Sequence, residues 1–135
     1  MSRKIFVNLP VKDLSKSRAF YGALGFSFNE QFSDDTAACV VISEDICAMI
    51  LTHEKFRQFT PHDVCDANEQ SEVLICLSCD DRKSVDDTVA KAVAAGGRTF
   101  KEPMDFGFMY GQSFKDPDGH IWELMFMDPT YVPKE

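Results

Sequence analysis

The stretch IFVNLPVKDLSKSRAFYGALGF (residues 5–26) sets the reading of the whole chain, because a second stretch, VLICLSCDDRKSVDDTVAKAVAAGG (73–97), repeats its order of features. In the first, Ile5, Val7, Leu9 and Val11 alternate with Phe6 and Asn8, which is the period of a strand. Asp13 then caps a helix running to about Leu24. Its apolar stripe is Leu14, Phe20, Tyr21 and Leu24, and Gly25 stops it. In the second, an alternating strand again ends at an acidic cap, followed by an amphipathic helix closed by Gly96 and Gly97. Phe6 to Asp13 superposes on Leu74 to Asp81 at a constant shift of 68 residues.

Around these two units the other elements fall into the same order. FSFNEQF (26–32), TAACVVIS (36–43) and ICAMILTH (46–53) read as strands, with Glu44-Asp45 turning between the last two. The segment from Glu54 to Ser71 is polar and irregular, and reads as a short helix plus a connecting loop. After the second helix come a short strand around Thr99-Phe100 and a Met/Phe/Gly-rich loop. The strands YGQSFKD (110–116) and HIWELMF (120–126) follow, joined by the turn Asp116-Pro117-Asp118-Gly119. There Pro presets φ and Gly accepts the left-handed position. The chain is thus βαβββ, a linker, and βαβββ, an internal duplication. The expected fold class is α+β. Residues 1–135 form one domain, with module one at about 3–53, the linker at about 54–71 and module two at about 72–128.

Composition narrows the function classes. An apolar share of 44% and 12 Phe in 135 residues supply a real core, so the chain is globular rather than disordered. A net charge of -8 argues against nucleic acid, which needs concentrated Lys and Arg. No apolar run is long enough to span a bilayer, and the N-terminus lacks a signal peptide's apolar stretch, so a soluble cytoplasmic protein is expected. The five cysteines are an odd number in a chain without an export signal, and read as free and mostly buried thiols. Cys76 and Cys79 have CxxC spacing but end a strand, which places them on opposite faces rather than in one site.

LPVKDLSKSRAFYGALGF (9–26) and FKDPDGHIWELM (114–125), with the duplicated order, resemble the vicinal oxygen chelate superfamily. Its members include glyoxalase I, extradiol dioxygenases, and fosfomycin- and bleomycin-resistance proteins. The chain is most similar to its small single-domain proteins labelled glyoxalase-like or predicted lactoylglutathione lyases. The resemblance implies two βαβββ modules curling into a half-open barrel with helices packed outside. In metal-using members, ligands stand on the inner faces of the first, fourth, fifth and eighth strands. The matching positions here are Phe6, Ile50, Leu74 and Glu123, so one ligand type is kept. A divalent transition metal needs about three or four N, O or S donors. No cofactor is therefore expected, although a set remodelled around His53, Glu54 or Asn8 is conceivable.

Strand parity assigns Phe6, Asn8, Ala48, Ile50, Thr52, Leu74, Cys76, Ser78, Ile121, Glu123 and Met125 to a concave, mostly apolar side, the usual character of a small-molecule site. Trp122, Leu124 and Phe126 are expected beneath the helices. Phe106, Phe108 and Tyr110 form either an aromatic rim over the ligand or a cap on the core. Glu123 is the one residue with chemistry to offer. It can act as a general base, anchor a cationic ligand, or be hydrogen-bonded within the fold. Three functions compete. One is a metal-free small-molecule binder of the bleomycin-resistance type. Another is a glyoxalase-like lyase or isomerase, or a dioxygenase-like enzyme, using Glu123 as base or as a ligand in an unusual metal set. The third is an interaction module with its cavity filled. The resemblance also implies a homodimer.

Overall fold

The computed structural model describes residues 3–131. Two compact units divide between Gln70 and Ser71. In the first, β1 (Ile5–Val11), α1 (Leu14–Ala23), β2 (Ser27–Asn29), β3 (Ala37–Ser43), β4 (Ile46–Thr52) and α2 (His53–Arg57) follow one another. The second holds β5 (Leu74–Ser78), α3 (Arg82–Ala94), β6 (Met104–Asp105), β7 (Met109–Lys115) and β8 (Ile121–Met127). Each unit has a four-stranded mixed sheet, ordered β1-β4-β3-β2 and β5-β8-β7-β6, and neither sheet closes into a barrel. The outer strand of each βα unit runs parallel to the last strand of its own module. The fold is α+β, built from two βαβββ modules.

The helix starts are chemically alike in both units. The Asp13 carboxylate accepts from the Lys16 amide at 3.1 Å, and Asp81 accepts from the Ser84 amide at 2.7 Å. Each satisfies a first-turn N–H that would otherwise lack a partner. Gly25 and Gly96, at φ of 100° and 109°, let the chain leave each helix in the left-handed region.

In the first unit, α1 packs on β3 and β4. Phe20, Tyr21, Leu9, Val11, Ala38, Val40, Ala48 and Ile50 are all buried. The register corrects one expectation. In a parallel pair, Cα partners share a face, and β4 pairs with β1 as Phe6↔Cys47, Val7↔Ala48, Asn8↔Met49, Leu9↔Ile50 and Val11↔Thr52. Ala48, Ile50 and Thr52 therefore lie with Leu9 and Val11 on the helix side. Phe6 and Asn8 share the other side with Cys47 and Met49. A one-residue slip in assigning an apolar strand moves every side chain across the sheet, and ICAMILT has no polar residue before its last, Thr52, to fix its phase. Thr52 has a structural task, since its hydroxyl caps α2 by accepting from the Lys55 amide at 3.2 Å.

Three smaller expectations are also corrected. The strand FSFNEQF is only Ser27–Asn29, because the Asn29 side chain accepts from the Gln31 amide and starts a 3-10 turn at Glu30–Phe32. No strand forms at Thr99-Phe100. Arg98 bridges Lys115 in isolation, and the pairing strand is Met104–Asp105. Of the five free thiols, Cys39 and Cys47 are buried, Cys79 is half-buried, and Cys65 and Cys76 are exposed.

In the second unit the alternation is as expected. Trp122, Leu124 and Phe114 are buried on the α3 side, and Phe126 is half-buried. Leu74, Cys76 and Ser78 of β5 pair with Ile121, Glu123 and Met125 of β8 on the opposite side.

Candidate functional site

Glu123 stands in the middle of β8, between two paired strands. Across the parallel ladder its partner is Cys76 of β5, and across the antiparallel ladder it is Ser113 of β7. Leu74 and Ile121 lie on the same face on one side. Ser78 and Met125 lie on the other, with Gly111 opposite Met125. Gly111 adds no side chain there, and a Cβ would meet the Leu124 carbonyl oxygen at 3.3 Å. The result is an apolar strip with one carboxylate flanked by a thiol and a hydroxyl. Glu123 is half-buried, and among the described residues its carboxylate takes part in no hydrogen bond or ion pair. The Cys76 thiol is pushed above its ordinary range by desolvation and then by the charge of Glu123.

The aromatic segment is a fastened hairpin. Phe106 N–H donates to the Met109 carbonyl at 2.8 Å and Gly107 N–H to the Asp105 carboxylate at 2.9 Å, with Gly107 at a φ of 82°. Arg82, the first residue of α3, holds Asp105 through two hydrogen bonds of 2.8 and 3.0 Å and reaches the Gly107 carbonyl at 3.2 Å. That pairing, led by the Arg82 hydrogen bonds, lowers the Asp105 carboxyl to about 2. Tyr110 lies on the helix side, opposite Phe126. Its hydroxyl donates to Asp86 at 2.5 Å beneath the Arg82 guanidinium, and Gln112 also donates to Asp86. The hydrogen bond to Asp86 raises the Tyr110 hydroxyl above its ordinary range. Tyr110 is thus a fastening for α3 and stands on the sheet face away from Glu123. Phe108 stacks on Tyr131 at 4.2 Å, and Phe106 remains exposed.

On the first unit's sheet, the face away from α1 carries Phe6 and Asn8, both exposed, beside Cys47 and Met49. Asn8 pairs with Met49 as Cys76 pairs with Glu123. The register therefore makes Met49, and not Ile50, the first-module counterpart of Glu123. Ile50 is fully buried among the core residues of the helix side.

The bleomycin resistance protein-like N-terminal family matches residues 3–43. A solved structure of a hypothetical protein from S. aureus is 31% identical, covers 93% of this chain and 94% of its own, and superposes with a TM-score of 0.78. A glyoxalase/bleomycin resistance protein/dioxygenase family enzyme from Burkholderia phytofirmans is similar at 21% identity. It covers 93% of this chain and 99% of its own, with a TM-score of 0.76. Residues 3–43 thus match the bleomycin resistance protein-like N-terminal family, and the whole chain shares the fold of glyoxalase/bleomycin resistance/dioxygenase proteins. A lactoylglutathione lyase from Agrobacterium tumefaciens shares this fold at 14% identity, with 98% of both chains covered and a TM-score of 0.68. A comparison with curated proteins finds no match.

The positions at which the resemblance implies metal ligands hold Phe6, Leu74 and Glu123, and the register puts Met49 rather than Ile50 at the first-module counterpart of Glu123. Two hydrocarbon side chains, a thioether and one carboxylate do not make the nitrogen- and oxygen-rich set such an ion needs. Among the described residues, no group of three or more His, Cys, Asp or Glu side chains could hold a metal ion. His53 begins α2, His62 lies beyond it, and the His120 amide donates to Asp116 in the β7–β8 turn. No helix of the described residues is long and apolar enough to cross a membrane.

Proposed function

We propose that this protein is a member of the glyoxalase/bleomycin resistance family that binds a small organic cation on the Glu123 face of the second-unit sheet, without a metal centre. The observation that carries the reading is the Glu123 carboxylate itself, half-buried on an apolar strip and without a hydrogen-bonding or ionic partner among the described residues. A carboxylate so placed attracts a cation more strongly than one in open water. Coulomb attraction at about 4 Å grows from about 1 to about 4 kcal/mol as the effective dielectric falls from bulk water to that of a protein surface. Leu74, Ile121 and Met125 supply the apolar contact for the ligand's body, and Cys76 and Ser113 flank the charge. Phe106 and Phe108 are the further residues of the second unit proposed to touch ligand. The net charge of -8 favours cations over anions at the encounter stage. The proposal includes a cytoplasmic homodimer. Leu74 is 55% exposed on β5, an edge strand of its sheet, and is apolar surface that a partner would cover.

The same unpartnered carboxylate suits a second reading, a glyoxalase-like lyase or isomerase in which Glu123 removes a proton beside a carbonyl. Two measurements separate them. The first is titration of the protein with aryl-ammonium and aryl-guanidinium compounds and their neutral isosteres, followed by thermal shift and calorimetry. The binder reading expects the cations to be preferred, and Glu123→Gln to weaken them about 10- to 100-fold while leaving the isosteres unchanged. The second is hemithioacetal turnover, which the binder reading expects to be absent. Turnover abolished by Glu123→Gln would establish the enzyme instead. Stoichiometric nickel, zinc, iron or manganese in protein purified without chelator would overturn the metal-free reading.

A further inference from the structure

On the first unit's sheet, the face away from α1 gathers sulfur. Cys39 of β3 is the antiparallel partner of Met49 of β4, and Cys47 is the partner of Val41, two residues along the same strand from Met49. Residues two apart on a strand share a face, so Cys39, Cys47 and Met49 form a triangle on adjacent strands. By this register Cys47 lies diagonally across from Cys39, and both residues are buried, Cys39 at 1% and Cys47 at 9% exposure. Met49 is half-buried beside them. Asn29 of β2 is the antiparallel partner of Cys39 on its other side. The Cys39 main chain is fixed in turn, its N–H donating to the Ser33 hydroxyl at 3.1 Å, while that hydroxyl donates to the Asn29 carbonyl at 2.7 Å.

We propose that Cys39 and Cys47, with the Met49 thioether as a third donor, form a site for a soft monovalent cation of the Cu(I) class. Two thiolates and a thioether are the donor set such ions select, and they accept two- or three-coordinate geometry. Hard divalent ions find no oxygen or nitrogen side-chain ligand in the triangle. Binding breaks two S–H bonds, forms two thiolate S–Cu bonds and one thioether S–Cu bond, and releases two protons to solvent, with no change of oxidation state. Burial pushes the Cys39 thiol up, so a proton competes with the metal for that sulfur. These residues all lie in the first unit, so the site is independent of the Glu123 reading.

The test is titration of the fully reduced protein with Cu(I) under anaerobic conditions, in competition with bicinchoninate. The expected result is one equivalent of Cu(I) taken from the competitor, with affinity falling as pH is lowered because two protons compete. Cys39→Ala and Cys47→Ala, checked for folding by circular dichroism, are each expected to lose at least about 100-fold in affinity. A Cys65→Ser/Cys76→Ser/Cys79→Ser variant keeps the triangle and is expected to retain the full equivalent. No Cu(I) taken by the wild type, loss of binding in the triple variant, or undiminished binding in folded Cys39→Ala would each overturn the proposal.

Discussion

Truncating Ile50 and Met49 separately tests the register on which the assignment of both faces rests. Ile50 is fully buried on the helix side of β4, while Met49, its immediate neighbour, is half-buried on the other side. Ile50→Ala removes three carbons from a close-packed environment, about 2.4 kcal/mol at roughly 0.8 kcal/mol per buried CH₂. The cavity left behind raises the total to about 3–4 kcal/mol, within the usual range for such truncations. Met49→Ala gives up part of a flexible side chain already in contact with solvent, and about 1 kcal/mol is expected. For a chain of this length those losses correspond to falls in Tm of about 10–15 °C and about 3–5 °C, respectively. Calorimetry and urea titration of the two variants give the comparison directly. Carboxylate substitutions sharpen it. Ile50→Glu places a charge in the core at a cost of several kcal/mol, comparable with the whole stability of a small domain, whereas Met49→Glu leaves the fold intact. Equal losses for the two alanine variants, or a stable Ile50→Glu protein, would refute the register and the assignment of Met49 as the first-module counterpart of Glu123.

Other consequences are open to measurement. Asp105 is expected to titrate near 2 by carboxyl-carbon NMR and to return toward 3.8 in Arg82→Gln. Because the folded value is lowered, the stability linked to this pairing is present above the unfolded value and is lost as pH falls from about 4 through 2. Tyr110 has the opposite sign. Its ionisation is raised by Asp86, so stability declines as pH rises above the ordinary tyrosine range, and Asp86→Asn is expected to lower the ultraviolet titration midpoint. Asp116 is fully buried and its carboxylate accepts from the Asp118 and His120 amides at 3.0 and 2.9 Å. Asp116→Ala leaves both donors without that acceptor and is expected to cost about 2–4 kcal/mol in urea denaturation. Glu123→Gln is expected to change stability by no more than about 0.5 kcal/mol, since the carboxylate has no partner to lose. A large loss would show that Glu123 holds the fold together.

How much could be read from the chain depends on where polar residues interrupt apolar ones. Asp13 and Asp81 announce the two helices, and Gly25 and Gly96 end them, which made the duplication visible without detectable likeness elsewhere between the halves. In β8, Glu123 sits between Trp122 and Leu124 and fixes which face is which. In β4 no such marker exists. ICAMIL is apolar up to the terminal Thr52, and its phase comes from pairing with β1 and β3, so the strand's periodicity alone puts Ile50 and Thr52 on the wrong side. Tyr110 was misplaced for another reason. Its alternation with Gly111 in the β7 strand is legible, but the helix-side partners Asp86 and Arg82 that give it a purpose are more than twenty residues away. The sulfur triangle was hidden by the same phase error, since Cys47 and Met49 gain their neighbours only from the register with Cys39.

The paired registers place Asn8, Met49 and Cys39 of one module where Cys76, Glu123 and Ser113 stand in the other. At two of those three places sulfur in the first half corresponds to oxygen in the second, so on the two proposed sites one half suits polarisable partners and the other suits charge. Redesign can exploit that asymmetry. A tandem of two second halves would present a pair of carboxylates at equivalent stations. A tandem of two first halves would present four thiols instead, so each homogeneous scaffold would inherit a single chemical preference where the natural chain carries both.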